Sequence, residues 1–342
     1  TNAGSGLTLV VNGNGNTQKA GDGAQITVSG ANETTSAGNK STIVQKGSGS
    51  TTRAGNSSTV TVTGDNNATT VGDGSTATVT GLAETVTGGM QSILAVLGAS
   101  AVVTEGDFSI VTLTGSKGSI TAGNSAAVTV IGSNDAISVA SHTSVSLSGT
   151  SDSVTATGLS VSLDVTGTGA TATMNGGLVK LENGASASLA GTGDAITQTV
   201  GSTLAVAGTA NALDVVGTGN ITTMSGGTIT IEANAASVVS GNNDAAVLKS
   251  NGSITLNGTD NSIDVVGTGV SASAGNATVR FENGSGGTLT GSSDTITAGN
   301  NATISLIGNN SSVSVSGAGT TVNVNGTADS VSINNGTVTL GT

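Results

Sequence analysis

The chain has no cysteine, no proline, no tryptophan and no tyrosine, and its only aromatic residues are Phe108 and Phe281. Without cysteine, and with His142 as the single histidine, it has no Cys-His nucleophile and too few ligands for a zinc site, and no nucleophile constellation is recognisable around His142. Serine is abundant, but no base accompanies it to activate a hydroxyl. Cysteine-free composition suits a protein exported without oxidative folding. Basic residues are also scarce: eight Lys and Arg face twenty Asp and Glu, for a net charge of −12. No basic stripe is available to neutralise phosphates, which excludes nucleic acid and charge-driven attachment to anionic membranes. The richest apolar run, Ile93 to Val103, is broken by Gly98 and Ser100 and is too short to span a bilayer, so no membrane insertion is expected.

So few aromatics in 342 residues rule out an ordinary globular core. What is present instead is glycine, 55 of them, in register. Gly13, Gly30, Gly47, Gly64, Gly81, Gly98, Gly115, Gly132 and Gly149 follow one another at steps of 17 residues. A second column runs through Gly21, Gly38, Gly55, Gly72, Gly89, Gly106 and Gly123 before Ala140 breaks it. A fixed period of this kind marks a stacked repeat.

Aliphatic residues keep the same register. One column reads Leu9, Ile26, Ile43, Val60, Ala77, Leu94, Val111, Val128, Val145; two residues on, Val11, Val28, Val62, Val79, Val96, Leu113, Val130 and Leu147 form another, with Gln45 the exception. Thr27, Thr61, Thr78, Thr112, Thr129 and Ser146 lie between them and should face outward, because successive side chains of a strand leave opposite faces. Val86, Val103, Ile120, Ile137 and Val154 mark a second inward column. The expected fold is all-β: a right-handed parallel β-solenoid of roughly 20 coils with two short strands per coil, rising about 4.8 Å per coil into a rod of about 95 Å.

Beyond residue 160 the echo lengthens. Leu163-Asp164-Val165, Leu213-Asp214-Val215 and Ile263-Asp264-Val265 are 50 residues apart, as are Glu182, Glu232 and Glu282. That step is close to three coils, and no linker interrupts it, so residues 1–342 are expected to form one continuous solenoid with 17-residue coils to about 160 and 50-residue triplets after it. The chain opens on Thr1 and closes on Gly341-Thr342 directly after a strand pattern, as expected of a mature or excised piece of something longer.

Turn chemistry sits beside the glycines. Asn16, Asn67, Asp135, Asp152, Asp194, Asp244, Asp294 and Asp329 each follow a glycine by three residues. There they are expected to bond nearby backbone amides, while Asp22, Asn39, Asn56, Asp73, Asp107 and Asn124 follow the second glycine column and could stack as side-chain ladders. Fragments such as Gly13-Asn14-Gly15 and Gly167-Thr168-Gly169 are turns rather than phosphate cradles, because no helix follows them. Lys180 with Glu182, and Arg280 with Glu282, should be surface charge pairs on one side of a strand. His142 reads as a solvated corner. Ala95, Leu97 and Val102 are apolar where neighbouring coils carry Thr or Ser, with Met90 and Phe108 flanking, and are candidates for a contact patch.

Turns such as Gly191-Thr192-Gly193-Asp194 and Gly291-Ser292-Ser293-Asp294 resemble the glycine-aspartate repeats of repeats-in-toxin proteins and of large bacterial surface adhesins. That resemblance implies a secreted bacterial repeat protein. It also makes Asp135, Asp152, Asp194, Asp244 and Asp294 candidate calcium ligands, although no full nonapeptide is present and carboxylates are sparse. No other cofactor is expected. The function expected is structural and not enzymatic: an extracellular or cell-surface shaft, as in an adhesin, filament, surface layer or biofilm matrix, that self-associates end to end or laterally. An ice-binding threonine face and a polysaccharide-binding or polysaccharide-cleaving β-helix are the alternatives, with surface polysaccharide a further possible partner.

Overall fold

In a computed structural model, residues 1–341 are described. Every regular element among them is a strand. The chain divides into two units, Thr1–Gly177 and Leu178–Thr342. Each is a parallel β-solenoid, and together they make about 20 coils.

In the first unit a coil consists of a five-residue strand, a corner, a four-residue strand and a second corner, as in Gln25–Ser29 followed by Thr34–Ala37. Each strand pairs in parallel with its equivalent one coil on. Thr59–Thr63 lies in register on Thr76–Thr80, matching Thr61 to Thr78 and Val62 to Val79. Period-two alternation then sends Val60, Val62, Val79, Leu94, Val96, Val111, Val128 and Val145 into the core, all nearly inaccessible to solvent. The four-residue strands bury Val86, Val103, Ile120, Ile137 and Val154 on the other side of the same slot. Leu9 and Val11 differ from the rest of their columns in being only half-buried, because their strand, Thr8–Asn12, is paired on one side alone. Gln45, the exception in its apolar column, is fully buried.

The glycine column has a backbone cause. At Gly81 (φ +157°) a Cβ would stand 1.8 Å from the carbonyl oxygen of Gly64, and at Gly149 (φ +156°) 1.4 Å from that of Gly132. One corner rests directly on the backbone of the corner beneath, so only a residue without Cβ fits.

The second unit stacks in the same way, with the 50-residue echo resolved into unequal coils. Along one strand row Leu178 pairs with Ala195, Ala195 with Ala212, and Ala212 with Thr228. Those steps are 17, 17 and 16 residues, which sum to the 50 seen in the sequence. Leu181, Ile196, Leu213, Val215, Ile229, Ile231, Ile263 and Phe281 are buried along this unit.

Candidate functional site

The polar residues that looked like local turn formers are instead interior columns running along the stack. At the first corner of most coils, the residue three after the glycine points inward, and its side-chain oxygen accepts the main-chain N–H of the equivalent residue one coil earlier; Ala101, Gly118, Gly227 and Ala277 hold the position without a side-chain oxygen. Asn16 N–H bonds to Glu33 Oε2 at 3.1 Å, Glu33 N–H to Ser50 Oγ at 3.1 Å, Ser50 N–H to Asn67 Oδ1 at 2.9 Å, and Asn67 N–H to Glu84 Oε2 at 3.1 Å. The column continues with Gly118 N–H to Asp135 Oδ1 at 2.6 Å and Asp135 N–H to Asp152 Oδ1 at 3.0 Å. In the second unit Asp194 N–H bonds to Asn211, Gly227 to Asp244, Asp244 to Asn261, Ala277 to Asp294 and Asp294 to Ser311.

Local backbone geometry aims these side chains. The residue before each of several, including Asn32, Asn66, Ala83, Asn134 and Ser151, adopts the left-handed conformation with φ between 56° and 61°. That sharp turn swings the next residue into the core; Asn tolerates it best, and the Ala and Ser positions carry some strain. The opposite corner uses serine: Ala24, Ser41 and Ser58 N–H groups bond to Ser41, Ser58 and Ser75 Oγ at 3.0–3.3 Å.

The exposed Asx column also departs from expectation. Its rungs are not amide-to-amide but main chain to side chain. Asn39 N–H bonds to Asp22 Oδ1, Asn56 to Asn39, Asp73 to Asn56, and Met90 to Asp73, each at 2.8–2.9 Å. Because only an acceptor is needed, Asp and Asn interchange freely there.

The five candidate calcium ligands all belong to the interior column, and each is 1–2% exposed. Asp135 and Asp152 occupy successive coils, whereas Asp194, Asp244 and Asp294 are separated by three. No cluster of three or more His, Cys, Asp or Glu suited to a metal exists among the described residues. Calcium takes six to eight oxygens, and a column offering one carboxylate per corner, already bonded to an amide, does not fit it. Burial pushes the Asp135 carboxyl up, the Gly118 N–H opposes this, and the neighbouring Asp152 charge adds to it.

Among the described residues, three ion pairs decorate the second half of the chain: Lys180–Glu182, Lys249–Glu232 at 2.5 Å and Arg280–Glu282 at 2.6 Å. The three glutamates keep their 50-residue step, but the cation comes from a different place in the middle repeat. Sequence spacing alone missed Lys249. Asp214 and Asp264 lie beside these pairs, and burial raises both carboxyls, with Glu232 and Glu282 adding and Lys249 and Arg280 opposing. The cations are 45–63% exposed, so the pairs contribute little to stability.

Ala95 and Leu97 lie on the outer face of Ile93–Leu97, in register with Thr112 and Thr114. Their companions are Ile93, Ile110 and Ile131, exposed on the same face of successive coils, with Met90 and Phe108 at the adjoining corners. Val102 is not among them: it sits on the other strand row, between Thr85 and Ser119. His142 is an exposed corner residue at φ 60° whose N–H bonds to Leu159 O at 3.0 Å.

Two shallow hollows in the second unit are equivalent under the 50-residue step. One of about 330 Å³ is lined by Asn220, Ile221, Ser237 and Thr255; the other, of about 390 Å³, by Gly286, Gly287, Thr303 and Ser305. Neither wall carries an ionisable side chain. A third hollow of about 190 Å³ holds Arg280 and Glu282, which are already paired with each other. No protein family, curated protein or solved structure matches the chain.

Proposed function

We propose that this chain is an extracellular structural protein, a stiff solenoid shaft that self-associates into a filament, surface array or biofilm matrix. The observation that carries this reading is the use of the corner polar side chains, column after column, to join one coil to the next. At the interior corners, each such side chain gives one oxygen to the adjacent coil's backbone and is buried, so it does not face solvent. The strands between them continue the same ladder. Such a stack resists bending and extension, because deforming it breaks strand and corner bonds together. The resemblance of its glycine-aspartate turns to those of large bacterial surface adhesins favours a secreted, cell-surface setting.

Lateral self-association is assigned to the apolar row Ile93, Ala95, Leu97, Ile110 and Ile131, which interrupts a face made largely of Thr and Ser. The same interruption disfavours an ice-binding face. Threonine fills all three outward positions only in Thr59–Thr63 and Thr76–Thr80, and the next coil replaces them with Ile93, Ala95 and Leu97. Surface polysaccharide remains a partner of the proposed shaft rather than a substrate.

Sedimentation velocity and electron microscopy of the purified chain test this reading. Fibres or lateral arrays are expected, and Leu97→Ser should weaken them without unfolding the protein. A monodisperse monomer that shapes ice crystals would contradict it.

A further inference from the structure

The interior corner column holds both asparagine and aspartate, and the two are not equally satisfied. Asn67, Asn211 and Asn261 use both ends of their amides. Besides accepting a main-chain N–H, Asn67 Nδ2 donates to Gly64 O at 2.8 Å, Asn211 Nδ2 to Gly191 O at 3.2 Å, and Asn261 Nδ2 to Gly241 O at 3.1 Å. At the equivalent corners, Asp244 Oδ1 accepts the Gly227 N–H at 3.1 Å and Asp294 Oδ1 the Ala277 N–H at 2.9 Å. The second oxygen, Oδ2, of each is buried without a hydrogen-bond partner. It lies 2.7 Å from where a Cβ on Gly241 or Gly291 would stand, pressed over the glycine three residues back. Asn16 places its Nδ2 in the same spot, 3.4 Å from a Cβ on Gly13.

A carboxylate only accepts hydrogen bonds, whereas a carboxylic acid carries an O–H that can donate as the amide does. A buried oxygen with no donor is costly when charged and tolerable when protonated. We propose that Asp244 and Asp294 are held as neutral carboxylic acids in place of asparagine, so that the second unit is locked under acidic conditions and loosens as these groups release their protons to solvent.

The surroundings leave little else to stabilise an anion. Stacked against Asp244 are Gly226 and Gly227 on one side and Thr259, Asp260 and Asn261 on the other; only Asp260 is ionisable, and it is an exposed acid. Asp294 meets Asn276 and Ala277 on one side and Asn309, Asn310 and Ser311 on the other, none of them ionisable. Burial accordingly pushes both carboxyls up, opposed by the main-chain N–H groups of Gly227 and Gly226 for Asp244 and of Ala277 for Asp294. The first unit carries the same tendency at Glu84 and Glu105, each raised to about 7, chiefly by burial. Asn67 donates to Glu84 with Asp65 repelling it, and Ser92 and Ser109 donate to Glu105. A carboxyl whose folded pKa exceeds its unfolded value contributes stability that is complete below the unfolded pKa and is lost as pH rises through the folded one. Stability should therefore be greatest in mild acid and decline toward and beyond neutrality.

The test uses the full chain and a double variant, Asp244→Asn with Asp294→Asn, with Asp260→Asn as a control that removes an exposed charge. Melting temperature should fall by on the order of 5 °C between pH 5 and pH 8 in the parent chain. The double variant should melt higher than the parent at pH 8 and show a flatter pH profile. Asp260→Asn should leave the slope in place. Infrared spectra should show a protonated carboxyl band at pH 6 that weakens in the double variant. The proposal is overturned by a parent melting temperature that is flat or rises with pH, by a double variant that melts lower at pH 8, or by a control that flattens the profile equally. An unchanged carboxyl band in the double variant would also overturn it, and the single variants Asp244→Asn and Asp294→Asn, read by the same band and pH profile, decide the matter should the double variant fail to fold.

Discussion

In the first unit, one interior column changes character halfway along while its register stays the same. Gln18, Thr35, Thr52 and Thr69 stack in order, and then Val86, Val103, Ile120, Ile137 and Val154 take over the same position. All nine are buried. In the polar half, Thr35 Oγ1 bonds to Gln18 Oε1 and to Gln45 Oε1, both at 3.1 Å, and Gln18 Nε2 bonds to Glu33 Oε2 at 2.9 Å. The network does not extend along the column: the hydroxyls of Thr52 and Thr69 are buried without partners. Strand pairing sets the width of the slot, and Thr and Val fill it alike in volume. They differ in what must be satisfied once water is gone.

The largest effect should ignore this difference, because it acts on the backbone. Gly47→Ala in the polar half and Gly149→Ala beside the aliphatic half both push a Cβ to within 2.0 Å of a carbonyl oxygen. Each is expected to cost roughly 4 kcal/mol or more, measured by denaturant unfolding. A mild effect in one half alone would mean that the two halves do not share one backbone geometry. Next comes Val128→Asp, which buries an unpaired charge and should cost about 3–5 kcal/mol. Thr129→Asp, one residue along and facing outward, should stay within about 0.5 kcal/mol. Equal losses from the pair would break the inward and outward assignment.

Those two pairs probe what was legible in the sequence. Glycine spacing, the aliphatic columns and the period-two alternation gave fold class, coil length and core, because each is a one-residue property repeated in register. The corners were not legible in the same way. Gly132 and Asp135 read equally well as a local turn, since an Asx side chain can bond its own loop or the loop one coil away. Only the stacking distance decides between them. The period of 17 did carry a signal: Asn67, Glu84, Asp135 and Asp152 repeat at the coil step, a regularity that local turn chemistry has no need of. The apolar patch proposed as a contact was half legible. Ala95 and Leu97 share a face with Ile93 and Ile110, but Val102 lies beyond the corner, which sequence adjacency concealed.

Smaller effects sharpen the comparison. Thr52→Val and Thr69→Val should each stabilise the protein by about 1 kcal/mol, because they replace an unsatisfied hydroxyl with a methyl group of similar size. The reverse change in the aliphatic half, Val103→Thr, should destabilise by a similar amount. Melting curves of the three variants check both signs. Smallest of all is chelation: EDTA should leave the melting temperature unchanged. A large drop would return Asp135, Asp152, Asp194, Asp244 and Asp294 to the role of calcium ligands.

Native-state hydrogen exchange at the corners tests the central claim most directly, since it asks whether corner side chains bind coil to coil. The main-chain amides of Gly118, Asp135, Asp244 and Ala277 are capped by oxygens of the next coil. They should exchange as slowly as strand amides such as those of Val111 and Ile263, opening only with global unfolding. Exchange at the rates of exposed loops, with the strands still protected, would contradict a scaffold held together through its corners.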